Sequence, residues 1–179
     1  TFDWQDFFEN WKGDLFFDWL RKQFTADDSG YDAVLVDSRT GVTEMGGVCA
    51  YQLADMVVML CAANHQNIDG TRSVADDFRS DAVLALRKGR PLDILVIPAR
   101  LETQNARREE FFDEFERRFG MDGIPRALVD AGQTYRSLAL PYHQDFAVIE
   151  RLVGERDANV SSPSVSFDPS TIFERLTDA

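Results

Sequence analysis

Histidine and cysteine are scarce in this chain of 179 residues, with two of each. His65 and His143 alone exclude a histidine-rich metal site. Cys49 and Cys61 stand in apolar surroundings without metal-ligand spacing, so they read as buried thiols in a reducing compartment rather than a disulfide framework. No apolar run approaches the about 20 residues of a membrane-spanning helix, and no secretory signal is visible. Positive charge is also short: Lys and Arg number 19 against 31 Asp and Glu, a net charge of −12, and only three of the 19 are Lys. This balance argues against nucleic acid held by bulk electrostatics, and an anionic membrane surface is not expected as a partner. The eleven glycines form no G-x-x-x-x-G-K-[ST] phosphate loop, and no G-x-S-x-G elbow is present. Paired acids such as Asp27-Asp28, Asp76-Asp77 and Glu109-Glu110 read as solvated surface. No internal repeat is visible.

What is present is ordinary for a globular protein, 44% apolar and 28% charged, with enough length for one domain and a substantial core. Aromatics crowd the start, where Trp4, Phe7, Phe8 and Trp11 recur on one helical face. Lys12-Gly13 breaks that helix, and Asp14 starts a second with Phe16, Phe17, Leu20 and Phe24 inward. The stripe is either core or a partner-binding face.

Tyr31-Asp-Ala-Val-Leu-Val-Asp37-Ser-Arg-Thr-Gly41, running on to Gly46-Gly47, is the stretch the rest is organised around. The continuous apolar run from Ala33 to Val36 predicts a fully buried strand of a parallel sheet. Asp37 then sits at a strand's carboxyl end, where open α/β sheets bind ligands. A hydroxyl, a guanidinium, a second hydroxyl and a glycine amide follow within four residues, groups that suit a magnesium-bound phosphate chain. The alternative is that Asp37 is only a turn residue or helix cap.

Further strands are expected at Asp55–Ala62 and Asp93–Pro98, with a short helix at 48–53 and a polar loop at 64–70. A helix over 71–88 is stopped by Gly89-Arg-Pro91. The spacing predicts an amphipathic helix over 104–119, with Phe111, Phe112, Phe115 and Phe119 inward. Its outer face carries Asp113–Arg117 and Glu114–Arg118 pairs. A short helix at 125–131, a short strand at 137–140, a helix from about 145 to 153 and a last helix opened by Asp168-Pro169 complete the pattern. This alternation predicts an α/β fold with a largely parallel sheet flanked by helices.

Several blocks together resemble the MinD/ParA-type P-loop ATPases, in the bacterial branch whose second acidic motif reads Asp-Ser-Arg-Thr-Gly. They are Phe2-Asp-Trp4 with Phe7-Phe8, the 31–41 stretch, Gly46 to Asp55, Ala62 to Gly70 and Leu140-Pro141-Tyr142. The likeness runs from about Phe2 to Val74, and more loosely to Leu152. It implies a Rossmann-like P-loop NTPase fold and cytoplasmic location. It further implies an ATP-dependent switch, in which two subunits sandwich ATP and Mg²⁺ and water attacks the γ-phosphate. On that resemblance Asp37 holds the magnesium, the Gly41 amide reads the γ-phosphate, and Ser38 and Thr40 orient waters. Arg39 either neutralises transition-state charge or holds the loop. Asn64 and Gln66 bind the loop or a partner subunit, unless they are simple turn residues. Arg100 takes the base-contacting position, although Ala99-Arg100 replaces the family's Asn-Arg or Asn-Lys pair. Pro141 and Tyr142 flank the base.

The family's N-terminal Lys-Gly-Gly-x-Gly-Lys-Thr loop is not in this sequence, which begins at Thr1. The expectation is a C-terminal portion of an NTPase domain over 1–154, followed by a linker and short helix over 155–179. Little ATP binding is expected without the loop's amides and lysine. The rival expectation is a non-enzymatic scaffold on the same fold, docking other protein domains through its acidic surface and aromatic start. A phosphotransferase is the third.

Overall fold

The structure, a computed structural model, describes residues 3–26, 29–38, 47, 49–101 and 106–142. The chain is mixed α/β, with a small two-stranded parallel sheet flanked by helices. Two compact units divide it, one made of the described residues of 1–57 and 73–93, the other of those of 58–72 and 94–142. Among the described residues no helix is long and apolar enough to cross a membrane.

The first unit opens with a helical hairpin, α1 (Trp4–Asn10) and α2 (Gly13–Phe24). Asp3 caps α1, its carboxylate accepting from the Asp6 amide at 2.9 Å. The predicted break falls at Lys12, which turns the chain at a left-handed φ of 56°. Gly13 is required next, because a Cβ there would lie 2.5 Å from the Phe7 ring. Rings of Trp4, Phe7, Phe8, Phe16 and Phe17 interlock edge-to-face and stacked, at centroid separations of 5.2 to 6.3 Å. Two expected inward residues instead face out: Phe16 is exposed, and so is Trp11. With Phe17 taking the buried position on α2, its immediate neighbour is carried about 100° round the helix and away from the core.

The predicted strand at Ala33–Val36 does not form. Tyr31 to Ser38 is exposed throughout, with Leu35 at 96%. An apolar run has the composition of a buried strand, but a strand exists only where a neighbour supplies ladder donors and acceptors. Among the described residues no strand pairs with this run.

The expected helix at 48–53 is a π-helical turn, α3 (Cys49–Leu53), and it is closed by arginines rather than by a glycine. Arg87, 3% exposed, donates all five guanidinium N–H groups to main-chain carbonyls: Ala50, Tyr51, Ala54, Arg90 and Pro91, at 2.6 to 3.0 Å. Arg90 reaches the Gln52 carbonyl at 2.7 Å and the Asp55 carboxylate at 3.0 Å. Carbonyls that a helix end leaves orphaned are thus taken by cations, as the local dipole favours. Partial burial pushes the Asp55 carboxyl up, but the guanidiniums of Arg21 and Arg90 outweigh it and hold it below the usual carboxylate range.

Strand β1 (Met56–Ala62) forms as expected but alternates, with Met56, Val58 and Leu60 exposed and Cys61 buried. Continuous burial was the expectation; among the described residues nothing covers the outer face. The predicted polar loop at 64–70 is instead the start of α4 (His65–Phe78), and Ser80 separates α4 from α5 (Asp81–Leu86) by capping the latter. One long helix over 71–88 is therefore two shorter ones, displaced toward the N-terminus. Strand β2 (Asp93–Ala99) is buried from Ile94 to Ala99, as the apolar run predicts.

Helix α6 (Ala106–Phe119) buries Phe112, Phe115 and Phe119, and leaves Phe111 half-buried. Glu114 pairs with Arg118 at 2.9 Å and also with Arg117. The expected Asp113–Arg117 pair is replaced: Asp113 goes to Arg136 at 3.4 Å, which also holds Glu109 and Glu116. Helix α7 (Arg126–Asp130) matches expectation. The expected strand at 137–140 is largely the short helix α8 (Tyr135–Leu138), because Thr134 and Ser137 form a reciprocal capping box. Expectations for 143–179, including His143 and the two last helices, lie outside the described residues.

Candidate functional site at the carboxyl end of the sheet

Two parallel neighbours place their carboxyl ends on one side, and each end carries residues singled out from the sequence. At the exit of β1, Asn64 caps α4: its Oδ1 accepts from the Asn67 amide at 2.8 Å and its carbonyl from the Ile68 amide at 3.1 Å. The 14-residue α4 thereby points its amino end, where the helix dipole favours negative charge, at this side of the sheet. Gln66 is exposed on the first turn. Asn64→Ala is expected to lower stability by about 1 kcal/mol, the usual cost of losing a polar cap, in urea unfolding followed by far-UV circular dichroism.

At the exit of β2 the backbone is forced into a rare shape. Arg100 has a left-handed φ of 58°, a conformation a non-glycine residue holds only when its surroundings fix it. Here the surroundings are a second chain segment. The Leu140 amide donates to the Pro98 carbonyl at 2.8 Å, the Leu101 amide to the Leu140 carbonyl at 3.2 Å, and the Tyr142 amide to the Leu101 carbonyl at 2.8 Å. Leu101 and Pro141 form a parallel bridge. Below, Leu101, Phe112 and Ala139 pack as one buried cluster. The result is that the Arg100 guanidinium lies over the Tyr142 ring, 5.7 Å from its centroid, with both side chains reaching solvent. A cation stacked on an exposed ring offers a flat, partly charged platform to another planar group.

No family model, curated protein or solved structure matches this chain.

Of the residues singled out from the sequence, Arg100, Pro141 and Tyr142 come together, with Asn64 at the adjoining strand end. Asp37 and Ser38 belong to the first unit and are exposed on the unpaired 31–38 run. Arg39, Thr40 and Gly41 lie outside the described residues. Among the described residues no group of three His, Cys, Asp or Glu side chains is gathered to hold a metal. Asp37 is a single exposed carboxylate, which fits a magnesium ion carried chiefly by phosphate oxygens and water, and does not fit a cage built by the protein. Sequence reasoning missed the Arg87 clamp: its five acceptors include carbonyls more than thirty positions away, and carbonyls carry no sequence signal.

Proposed function

We propose that the chain supplies the base-binding side of a nucleotide site in an ATP-dependent molecular switch of Rossmann-like P-loop type, cytoplasmic and working as a nucleotide-bridged homodimer. The observation that carries this reading is the Arg100–Tyr142 platform at the sheet's carboxyl end, fixed by the strained Arg100 backbone and the Pro141 bridge. The platform suits any flat heteroaromatic base, so ATP and GTP are both admitted by it. The amino end of α4 at the adjoining strand exit favours phosphate. On the resemblance alone, Asp37 would hold Mg²⁺ through water. When bound, ATP·Mg²⁺ supplies the phosphoanhydride and the charge that water attack on the γ-phosphate requires. The second unit's own share is to stack the base on the Arg100–Tyr142 platform; the carboxylate for the metal's waters is assigned to Asp37 by the resemblance alone. Arg39, Thr40 and Gly41 follow Asp37 in sequence and take the loop roles the resemblance implies.

Titration of the chain with adenosine, with ATP, and with ATP plus Mg²⁺, followed by NMR of the Tyr142 ring, tests this directly. All three ligands are expected to shift the ring signals. Tyr142→Ala is expected to weaken binding about tenfold, in line with about 1–3 kcal/mol per stacked base. Asp37→Ala is expected to abolish the gain that Mg²⁺ gives ATP. Unmoved Tyr142 signals at millimolar adenosine and ATP would overturn the reading. The scaffold alternative draws on a different observation, the exposed aromatic face of α2.

A further inference from the structure

That face leads to an inference independent of any nucleotide. On α2, Leu15 (53% exposed), Phe16 and Trp19 (54%) form a stripe along one side. Isolated exposed apolar residues are common, but three large ones side by side on one helix, a tryptophan among them, have the composition of an interface centre. The anchors are also preset. The Trp19 and Phe16 rings rest against each other, their centroids 6.0 Å apart. Ordering them on association therefore costs little.

Charge says what covers the stripe. Along α2 the acids come first, Asp14 and Asp18, and the bases last, Arg21 and Lys22. Asp18 is paired with Lys88, which Asp14 also attracts without an ion-pair contact, and Arg21 is paired with Asp55; Asp14 and Lys22 stay exposed at opposite ends of α2. A helix of that polarity is complementary to its own antiparallel image. A two-fold crossing near Phe17 and Asp18 sets Trp19 of one copy against Leu15 and Phe16 of the other. It also sets Asp14 against Lys22 twice, once on each side of the axis. We propose that α2 is an isologous homodimer interface, in which two copies of this chain pair antiparallel through Leu15, Phe16 and Trp19 with reciprocal Asp14–Lys22 contacts.

Sedimentation equilibrium of the full chain without nucleotide tests the proposal. A reversible monomer–dimer equilibrium in the micromolar range is expected. Trp19→Glu should raise the dimer dissociation constant about thirtyfold or more, and circular dichroism should be unchanged because the side chain is half exposed. Asp14→Lys and Lys22→Asp should each weaken the dimer on the order of tenfold, since each sets two like charges face to face twice. The double variant Asp14→Lys with Lys22→Asp should recover wild-type affinity, which simple hydrophobic clumping does not predict. A chain monomeric at about 100 μM would overturn the proposal. So would a dimer indifferent to Trp19→Glu, or a double variant no tighter than the single ones.

Discussion

Arg87→Met is expected to destabilise the first unit by about 3 kcal/mol or more, with the fold's remaining contacts intact. Methionine replaces the apolar stem of the arginine but none of its donors. Five carbonyls, those of Ala50, Tyr51, Ala54, Arg90 and Pro91, then lose their partner, the Ala50 carbonyl in a buried place and the other four in part-buried ones. Each stranded buried acceptor costs about 1–3 kcal/mol, and relaxation or water entry recovers part of the sum. Among the described residues no carboxylate bonds to this guanidinium, so the loss is one of hydrogen bonding and of the cation's attraction for the α3 carbonyl ends, rather than of an ion pair. Arg87→Lys should lie between the two, because an ammonium brings three donors and no planar fork. The three tryptophans all sit in the α1–α2 hairpin of the same unit, so their fluorescence during urea unfolding reads this loss. A shift below about 1 kcal/mol would mean that the carbonyls find other donors and that the clamp is not what closes α3.

That clamp also marks the limit of what the sequence makes legible. The helix starts and stops that rest on neighbours a few residues apart were readable: the Lys12-Gly13 break, the turn at Gly89, the phenylalanine face of α6. Features that rest on a distant partner were not. The run Ala33–Val36 has the composition of a buried strand, and its exposure shows that composition specifies the wish for neighbours and not their presence. The displaced start of α4 has a local cause, since the Asn64 side chain accepts from the Asn67 amide and caps the helix. Thr134 and Ser137 likewise turn a segment read as strand into α8.

The candidate site was half legible for the same reason. Arg100, Pro141 and Tyr142 are each marked by the resemblance to the MinD/ParA-type ATPases, but their meeting depends on Leu140 lying along the end of β2, forty residues on in sequence. The left-handed φ of Arg100 carries no sequence signal at all, because nothing in arginine favours it. What the sequence did supply was the apolar 93–99 run, whose end had to be a site-facing position if the strand was parallel.

The same dependence makes Phe115→Ala the variant expected to damage the second unit most. The ring is fully buried and touches Phe119 at 4.6 Å, Tyr135 edge-on at 4.8 Å and Phe111 at 5.5 Å. Truncating it removes the transfer energy of a phenyl group and leaves a hole that aromatic neighbours on fixed helices cannot close, a loss of about 3–5 kcal/mol. Phe115→Leu fills most of that volume and should cost about 1–2 kcal/mol. The damage should travel along a physical chain. Tyr135 opens α8, and its hydroxyl accepts from the Gly123 amide at 3.0 Å. Gly123 in turn offers its carbonyl to the Val96 amide of β2 at 2.7 Å, and α8 leads straight into Leu140, Pro141 and Tyr142. Loosening Tyr135 therefore frees both the flank of β2 and the segment that holds Arg100 in its strained turn. Amide hydrogen exchange should show the Val96, Leu101 and Tyr142 protections falling together in Phe115→Ala, by the same free energy. Loss at Val96 alone would show that the 140–142 segment is held independently of the α6–α8 core, and that the platform's rigidity comes from its own three hydrogen bonds.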